Sequence, residues 1–121
     1  MGKINELEWF EEDADQGDQR GMSLNFKKGL ITSSNGMVQP LEENKKEVLW
    51  VIDNNITEKT ARVVKSQAKI DITEVIKVPI KNGYKLLEPL GEEQKIKFIK
   101  RVETLTNELK QLYILKETYE E

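Results

Sequence analysis

The chain has 121 residues, of which 34% are charged, and its formal net charge at neutral pH is −3. It contains neither cysteine nor histidine, which excludes disulfides, thiolate nucleophiles, and the Ser-His-Asp and histidine-zinc sites of many enzymes. No apolar run approaches the length of a membrane span, and the N-terminus lacks the apolar stretch of a signal peptide. We therefore expect a cytoplasmic protein of one domain with an appendage and no membrane partner.

Charge is distributed unevenly along the chain. Residues 1–21 carry seven acids against two basic residues, whereas residues 22–101 carry fifteen lysines and arginines against ten acids. Two interpretations remain open. Either the acidic residues form a polar tail beside an ordinary lysine-rich surface, or they form an arm that competes with an anionic ligand for a basic face.

Residues 1–21 are predicted to form an acidic N-terminal arm. Residues 4, 7 and 10 are apolar and would share one face of a short helix, and the remainder has the composition of a flexible linker. The aromatic residues could close the core of the domain, or the segment could dock into a basic, apolar groove of another protein. The docking residues would be Leu7, Trp9, Phe10, Glu11 and Glu12.

Residues 22–90 form the predicted β body, an antiparallel sheet or small β-barrel of five to six strands. Alternation of apolar and polar side chains from residue 22 predicts a half-buried strand, and Asn35-Gly36 is typical of a hairpin turn. The apolar run VLWVI, residues 48–52, predicts a central buried strand. The following DNN, residues 53–55, predicts a turn.

The sequence pattern is less regular in the second half of this β body. Residues 57–70 are compatible with a helix or a strand, and we favour a strand because residues 48–52 need a pairing partner. The next strand includes Pro79, which cannot donate a ladder hydrogen bond, so we place this strand at a sheet edge. Lys81-Asn82-Gly83 again predicts a hairpin.

Residues 91–121 are predicted to form a long C-terminal helix over Glu92–Tyr119, with an apolar seam of about three heptads. Such a helix either lies across its own sheet or contacts a second chain, and we favour a homodimer or a protein partner. The association surface would consist of Phe98, Val102, Leu105, Leu109 and Leu112.

Nucleic-acid binding is the alternative function. Small β-domains bind single strands by stacking bases on exposed aromatic side chains within a basic groove. A possible face for this function consists of Phe26, Lys27, Lys28, Lys59, Arg62, Lys65, Tyr84 and Lys85.

The sequence contains no phosphate-binding glycine loop and no set of residues with the spacing of a metal site. We therefore predict no catalytic residues, no cofactor and no metal. The favoured function is a non-enzymatic binding protein that self-associates through its C-terminal helix, and the alternative is a single-stranded nucleic-acid-binding protein.

Overall fold

The computed structural model describes the backbone of residues 3–13 and 18–120 and, within these ranges, the side chains of residues 3–11 and 20–120. The first four strands along the chain form one antiparallel sheet in which strands consecutive in sequence are neighbours, and the last two form a separate two-stranded ribbon. The predicted α+β class with a long C-terminal helix is confirmed, and the described strands do not close into a barrel. The elements are β1 (Glu6–Asp13), β2 (Asp18–Asn25), β3 (Leu30–Ser33), β4 (Val38–Pro40), α1 (Lys45–Ile70), β5 (Ile76–Ile80), β6 (Gly83–Leu87) and α2 (Glu92–Tyr119).

The chain divides into two compact units. Unit 1 consists of the described residues within Met1–Glu58 and Glu108–Glu121, and unit 2 consists of Lys59–Asn107. Unit 1 contains the four-stranded sheet, the first half of α1 and the last part of α2. Unit 2 contains the remainder of both helices and the β5–β6 ribbon. These boundaries differ from the predicted division at residues 21 and 90.

Strand β1 replaces the short helix that the sequence predicted near residues 4–10. In the β1–β2 ladder Leu7 pairs with Leu24 and Trp9 with Met22, and all four side chains belong to the core of unit 1 or pack against it. Apolar residues that alternate with glutamates have the period of a strand. Pairing with β2 provides hydrogen-bond partners for the backbone and buries these apolar side chains together, so residues 6–13 belong to the sheet.

Helix α1 replaces the predicted strand at residues 48–52, the predicted turn at 53–55 and the favoured strand at 57–70. The β-branched run concealed the helical period because the period becomes clear only when the buried positions beyond the run are included. In unit 1 the buried side chains of α1 recur three and four residues apart and are Val48, Val51, Ile52, Asn55 and Ile56.

The two predicted hairpins are confirmed. Residues 34–37 connect β3 to β4, and Gly36 has a φ of 87°, which favours glycine. Lys81 and Asn82 connect β5 to β6, whose closing pair is Ile80 and Gly83. Pro79 lies in a two-stranded ribbon, where every strand is an edge strand, as its missing N–H requires.

The core of unit 1 lies between one face of the sheet and the adjoining segments of α1 and α2. Leu24 and Ile31 contribute from the sheet, Val51 from α1, and Leu112 from α2, where its side chain is 0% exposed. The backbone N–H of Ile4 also donates to Oε1 of Gln111 at 2.8 Å, which joins the segment before β1 to α2. The C-terminal part of α2 is therefore a structural part of unit 1.

Phe10 occupies the other face of β1, above its cross-strand partner Gly21. A Cβ atom on Gly21 would overlap the ring of Phe10, which is 45% exposed, so the ring would have to move. We expect Gly21→Ala to lower the free energy of unfolding by about 1 kcal/mol, as overpacked sites do. Urea denaturation of this variant in the wild-type and Phe10→Ala backgrounds measures the effect. An equal loss in both backgrounds would show that the aromatic ring is not the cause.

Candidate functional site

The two units carry opposite net charge. Unit 2 has eleven lysines and arginines against six acids, a net charge of +5, whereas the sequence of unit 1 has eight against sixteen, a net charge of −8. The small overall charge of −3 is therefore the sum of a strongly basic unit and a strongly acidic unit. A basic surface of this kind attracts anionic ligands over distances of about 10 Å at 0.1 M salt.

A basic cleft lies within unit 2 between α1 and α2. Its volume is about 390 Å³, and among the described residues no acidic side chain lines it. The α1 residues that line it are spaced three and four apart, which places them on one helix face. We define the basic cleft by Arg62, Lys65, Ser66, Lys69, Phe98 and Arg101.

The Phe98 ring lies close to two of the four cations of this cleft. The Nζ atom of Lys69 is 5.4 Å from the centroid of the Phe98 ring, and Cζ of Arg101 is 5.0 Å from it. Both distances are within the range of cation-π attraction, which is about 0.5–1 kcal/mol at exposed sites. The ring therefore positions one cation from each helix.

A second depression of about 480 Å³ continues from the cleft and shares Lys69, Phe98 and Arg101 with it. This apolar extension is defined by the apolar side chains Ile72, Leu87 and Leu90, and the charged and polar groups of Glu88, Gln94 and Lys97 also line it. A continuous groove of unit 2 thus has a basic end and a more apolar end.

The β5–β6 ribbon exposes apolar side chains on both faces. Ile76 and Ile80 are on one face and are 43% and 52% exposed, while Tyr84 and Leu86 are on the other and are 66% and 56% exposed. Lys77 lies over the Tyr84 ring, with Nζ 4.8 Å from the ring centroid. An isolated two-stranded ribbon is only marginally stable in water.

The residues of the predicted association surface differ in exposure. Leu112 and Leu105 are 0% and 7% exposed within the single chain, and Phe98, Val102 and Leu109 are half-buried. Leu109 also packs against the core of unit 1. Most of the seam is therefore covered by the chain itself, and the more exposed apolar residues of α2 are Ile96, Ile99, Tyr113 and Ile114.

The residues of the predicted docking arm also lie in different environments. Leu7 and Trp9 pack against the core of unit 1, and Phe10 lies over Gly21. The indole N–H of Trp9 donates to Oε1 of Glu11 at 2.8 Å. The side chain of Glu12 lies outside the described part of the structure.

The residues of the possible nucleic-acid face fall in both units. Phe26 packs against the core of unit 1, with its ring centroid 6.1 Å from that of Tyr119, and Lys27 and Lys28 follow β2. Arg62 and Lys65 line the basic cleft of unit 2. Also in unit 2, Lys59 is on α1, and Tyr84 and Lys85 are on β6.

Sequence reasoning missed three cations of the groove: Lys69, Lys97 and Arg101. A helical reading of residues 57–70 would have placed Lys69 on the same face as Arg62 and Lys65, because these residues are spaced three and four apart. Their proximity to Arg101 and Phe98 depends on the tertiary structure of unit 2.

Two groups with raised pKa values lie near the end of α2 in unit 1. The hydrogen bond and charge of Asp53, 3.0 Å from Nζ of Lys116, raise the pKa of the Lys116 ammonium. Burial raises the pKa of the Tyr119 hydroxyl, with a further contribution from Glu42. Both shifts follow from the packing of unit 1, so neither marks a reactive group of the basic cleft.

Among the described side chains, those of residues 3–11 and 20–120, no cluster of three or more acidic groups has the arrangement of a metal site. Within the same part of the chain, neither helix combines the length and apolar character needed to cross a membrane. Comparison of the chain with protein-family models, curated proteins and solved structures gave no match.

Proposed function

We propose that this protein is a non-enzymatic binding module that self-associates through the exposed apolar side chains of unit 2, including those of its C-terminal helix. One observation supports this proposal above the others. Within unit 2, Leu105 is the one large apolar side chain among the described residues that is less than 9% exposed. Eight of the thirteen exposed large apolar side chains of the described chain belong to this unit.

This imbalance is unfavourable for a unit of this size in isolation. Burial of apolar surface contributes about 25 cal/mol per Å², and unit 2 leaves much of its apolar surface in contact with water. The β5–β6 ribbon likewise buries little apolar surface, because both of its faces expose large apolar residues. Contact with a second copy would bury these side chains, and large exposed apolar patches commonly mark such contacts.

A symmetric dimer is the simplest assembly that covers the same surface on both copies. Each copy of unit 2 carries a net charge of +5, so the two copies repel each other at low ionic strength. Salt screens this repulsion and leaves apolar contact largely intact. Self-association is therefore expected to strengthen as the salt concentration rises.

Light scattering coupled to size-exclusion chromatography tests this proposal. We expect the wild-type protein to have a mass of about twice the 14.0 kDa of one chain, with a larger dimer fraction at 0.5 M than at 0.05 M salt. Ile96→Gln with Ile99→Gln removes two exposed apolar side chains of α2 in unit 2 and should shift the mass toward the monomer. Tyr84→Ser with Leu86→Ser tests the ribbon in the same way.

The matched control is Tyr113→Gln with Ile114→Gln, which removes exposed apolar side chains from the part of α2 in unit 1. This variant should keep the wild-type mass. A monomeric wild-type protein at all salt concentrations would contradict the proposal. So would a folded protein whose mass is unchanged by both unit 2 variants.

A further inference from the structure

We propose that the basic cleft of unit 2 binds single-stranded nucleic acid, with phosphates held by the cations of the cleft and bases placed against Phe98 and the apolar extension. This site is separate from the exposed apolar side chains of the proposed self-association surface. Its residues line the depression between α1 and α2.

The charge of the cleft indicates an anionic ligand with several charges. Arg62, Lys65 and Lys69 on α1 face the same depression as Arg101 on α2, and among the described residues no acid lines it. From Arg62 to Lys69 the helix rises about 10 Å, at 1.5 Å per residue. A row of cations of this length can contact several successive phosphates of one strand. A single small anion would contact only one part of the row.

The aromatic and apolar parts of the groove favour a nucleic acid over other polyanions. Phe98 provides an aromatic ring with the cations of Lys69 and Arg101 over it. A base can take the place of one cation when that cation moves to a phosphate, and stacking on such rings contributes about 1–3 kcal/mol per base in single-strand-binding proteins. Ile72, Leu87 and Leu90 continue the apolar surface. An acidic peptide has carboxylates but no planar bases to use this surface.

A single strand also fits better than a duplex. Stacking on a side chain requires an accessible base face, and in a duplex those faces are covered by neighbouring base pairs. The residues that line the groove lie in a depression between two helices and do not project as an element that could enter a duplex groove. Direct contact between Phe98 and a base therefore requires an unpaired strand.

Fluorescence anisotropy with a labelled twenty-residue oligothymidine tests this inference on the full chain. Four phosphate contacts predict that the logarithm of the binding constant falls with the logarithm of the salt concentration at a slope of about −2.8. Lys69→Gln with Arg101→Gln should weaken binding by at least about fivefold at low salt and reduce the magnitude of this slope by about 1.4.

The matched control is Lys46→Gln with Lys110→Gln, which removes the same amount of charge from two exposed lysines of unit 1. This variant should change the affinity by less than about twofold. An equal loss of affinity in both double variants would overturn the site, because binding would then follow net charge alone.

Phe98→Leu separates base contact from phosphate contact. It keeps an apolar side chain of similar volume but removes the aromatic surface, so oligothymidine binding should weaken by about threefold or more. Binding of inorganic polyphosphate, which has no bases, should weaken less than oligothymidine binding, because it loses only the positioning of Lys69 and Arg101 by the ring. The proposal would be wrong if the variant bound oligothymidine like the wild type, if polyglutamate competed as well as oligothymidine, or if no oligonucleotide bound at 0.05 M salt.

Salt distinguishes this inference from the proposed self-association. Oligonucleotide binding is expected to weaken as salt rises, whereas dimer formation is expected to strengthen. The Ile96→Gln and Ile99→Gln variant should remain able to bind oligothymidine, because neither residue lines the basic cleft. Loss of one activity without the other therefore identifies which of the two proposals fails.

Discussion

Replacement of Leu112 by alanine is expected to lower the free energy of unfolding by about 3 kcal/mol, within the range of about 2–5 kcal/mol for leucine-to-alanine changes in cores. Leu112 is 0% exposed and belongs to the same cluster as Leu24 and Val51. Its truncation removes buried apolar surface and leaves a cavity in this cluster. Domains are stable by only about 5–15 kcal/mol, so the loss is a large fraction of the total.

Urea denaturation monitored by circular dichroism measures this loss, provided that the dependence on urea concentration is the same for both proteins. Ile114→Ala is the matched control, because Ile114 is on the same helix but is 64% exposed. Its effect should remain within about 0.5 kcal/mol. A loss below 1 kcal/mol for Leu112→Ala would contradict the assignment of this side chain to the core.

Leu112 also illustrates why the apolar seam of α2 was difficult to interpret from sequence. The spacing of apolar residues correctly predicted the helix and its bounds at Glu92–Tyr119. Periodicity identifies the face that must be covered, but the covering element is not part of the pattern. Leu112 is covered by the core of unit 1, which includes residues of the sheet and of α1, so this residue cannot also be an open contact surface.

The local features of the fold were predictable because their causes are local. The Asn35-Gly36 and Lys81-Asn82-Gly83 turns depend on residues that allow the required backbone angles, and both hairpins occur there. The edge position of the strand that contains Pro79 follows from the missing N–H. These features need no knowledge of distant contacts.

Helix α1 was not predicted because residues that usually interrupt helices are supported here by one tertiary ion pair and by hydrogen bonds to the preceding turn of the helix. Asp53 pairs with Lys116 of α2 at 3.0 Å. The side-chain amide of Asn54 donates to the carbonyl oxygen of Trp50 at 2.8 Å, and the Thr57 hydroxyl donates to that of Asp53 at 3.0 Å. Such bonds to the preceding turn satisfy polar side chains inside a helix. The segment DNN thus has the composition of a turn but the environment of a helix.

The candidate site was partly visible in the sequence as a surplus of basic residues. Arg62 and Lys65 were named in advance, but they were grouped with Phe26, which packs in the core of unit 1. The error follows from the assignment of residues 57–70 to a sheet, because a strand and a helix place different residues on one face. The contribution of Arg101 required the tertiary structure of unit 2.

Asn55→Ala is expected to lower the free energy of unfolding by about 2 kcal/mol, because Asn55 joins α1 to β1 through a buried amide. Asn55 is 8% exposed, and its Nδ2 donates to the carbonyl oxygen of Glu8 at 3.0 Å and to that of Val51 at 2.9 Å. Alanine removes the donor and leaves the carbonyl group of Glu8 without this partner.

Asn54→Ala provides an internal reference for this effect. Both substitutions replace asparagine by alanine at neighbouring positions of one helix, so the gain in helix propensity is similar in both. Asn54 bonds only to the preceding turn among the contacts described for it, and its truncation should cost about 0.5 kcal/mol or less. The difference between the two variants in urea denaturation therefore measures the bond from α1 to β1. Equal losses would mean that this bond contributes nothing to stability, and β1 would then be held to unit 1 by its ladder with β2 and by the packing of Leu7 and Trp9 alone.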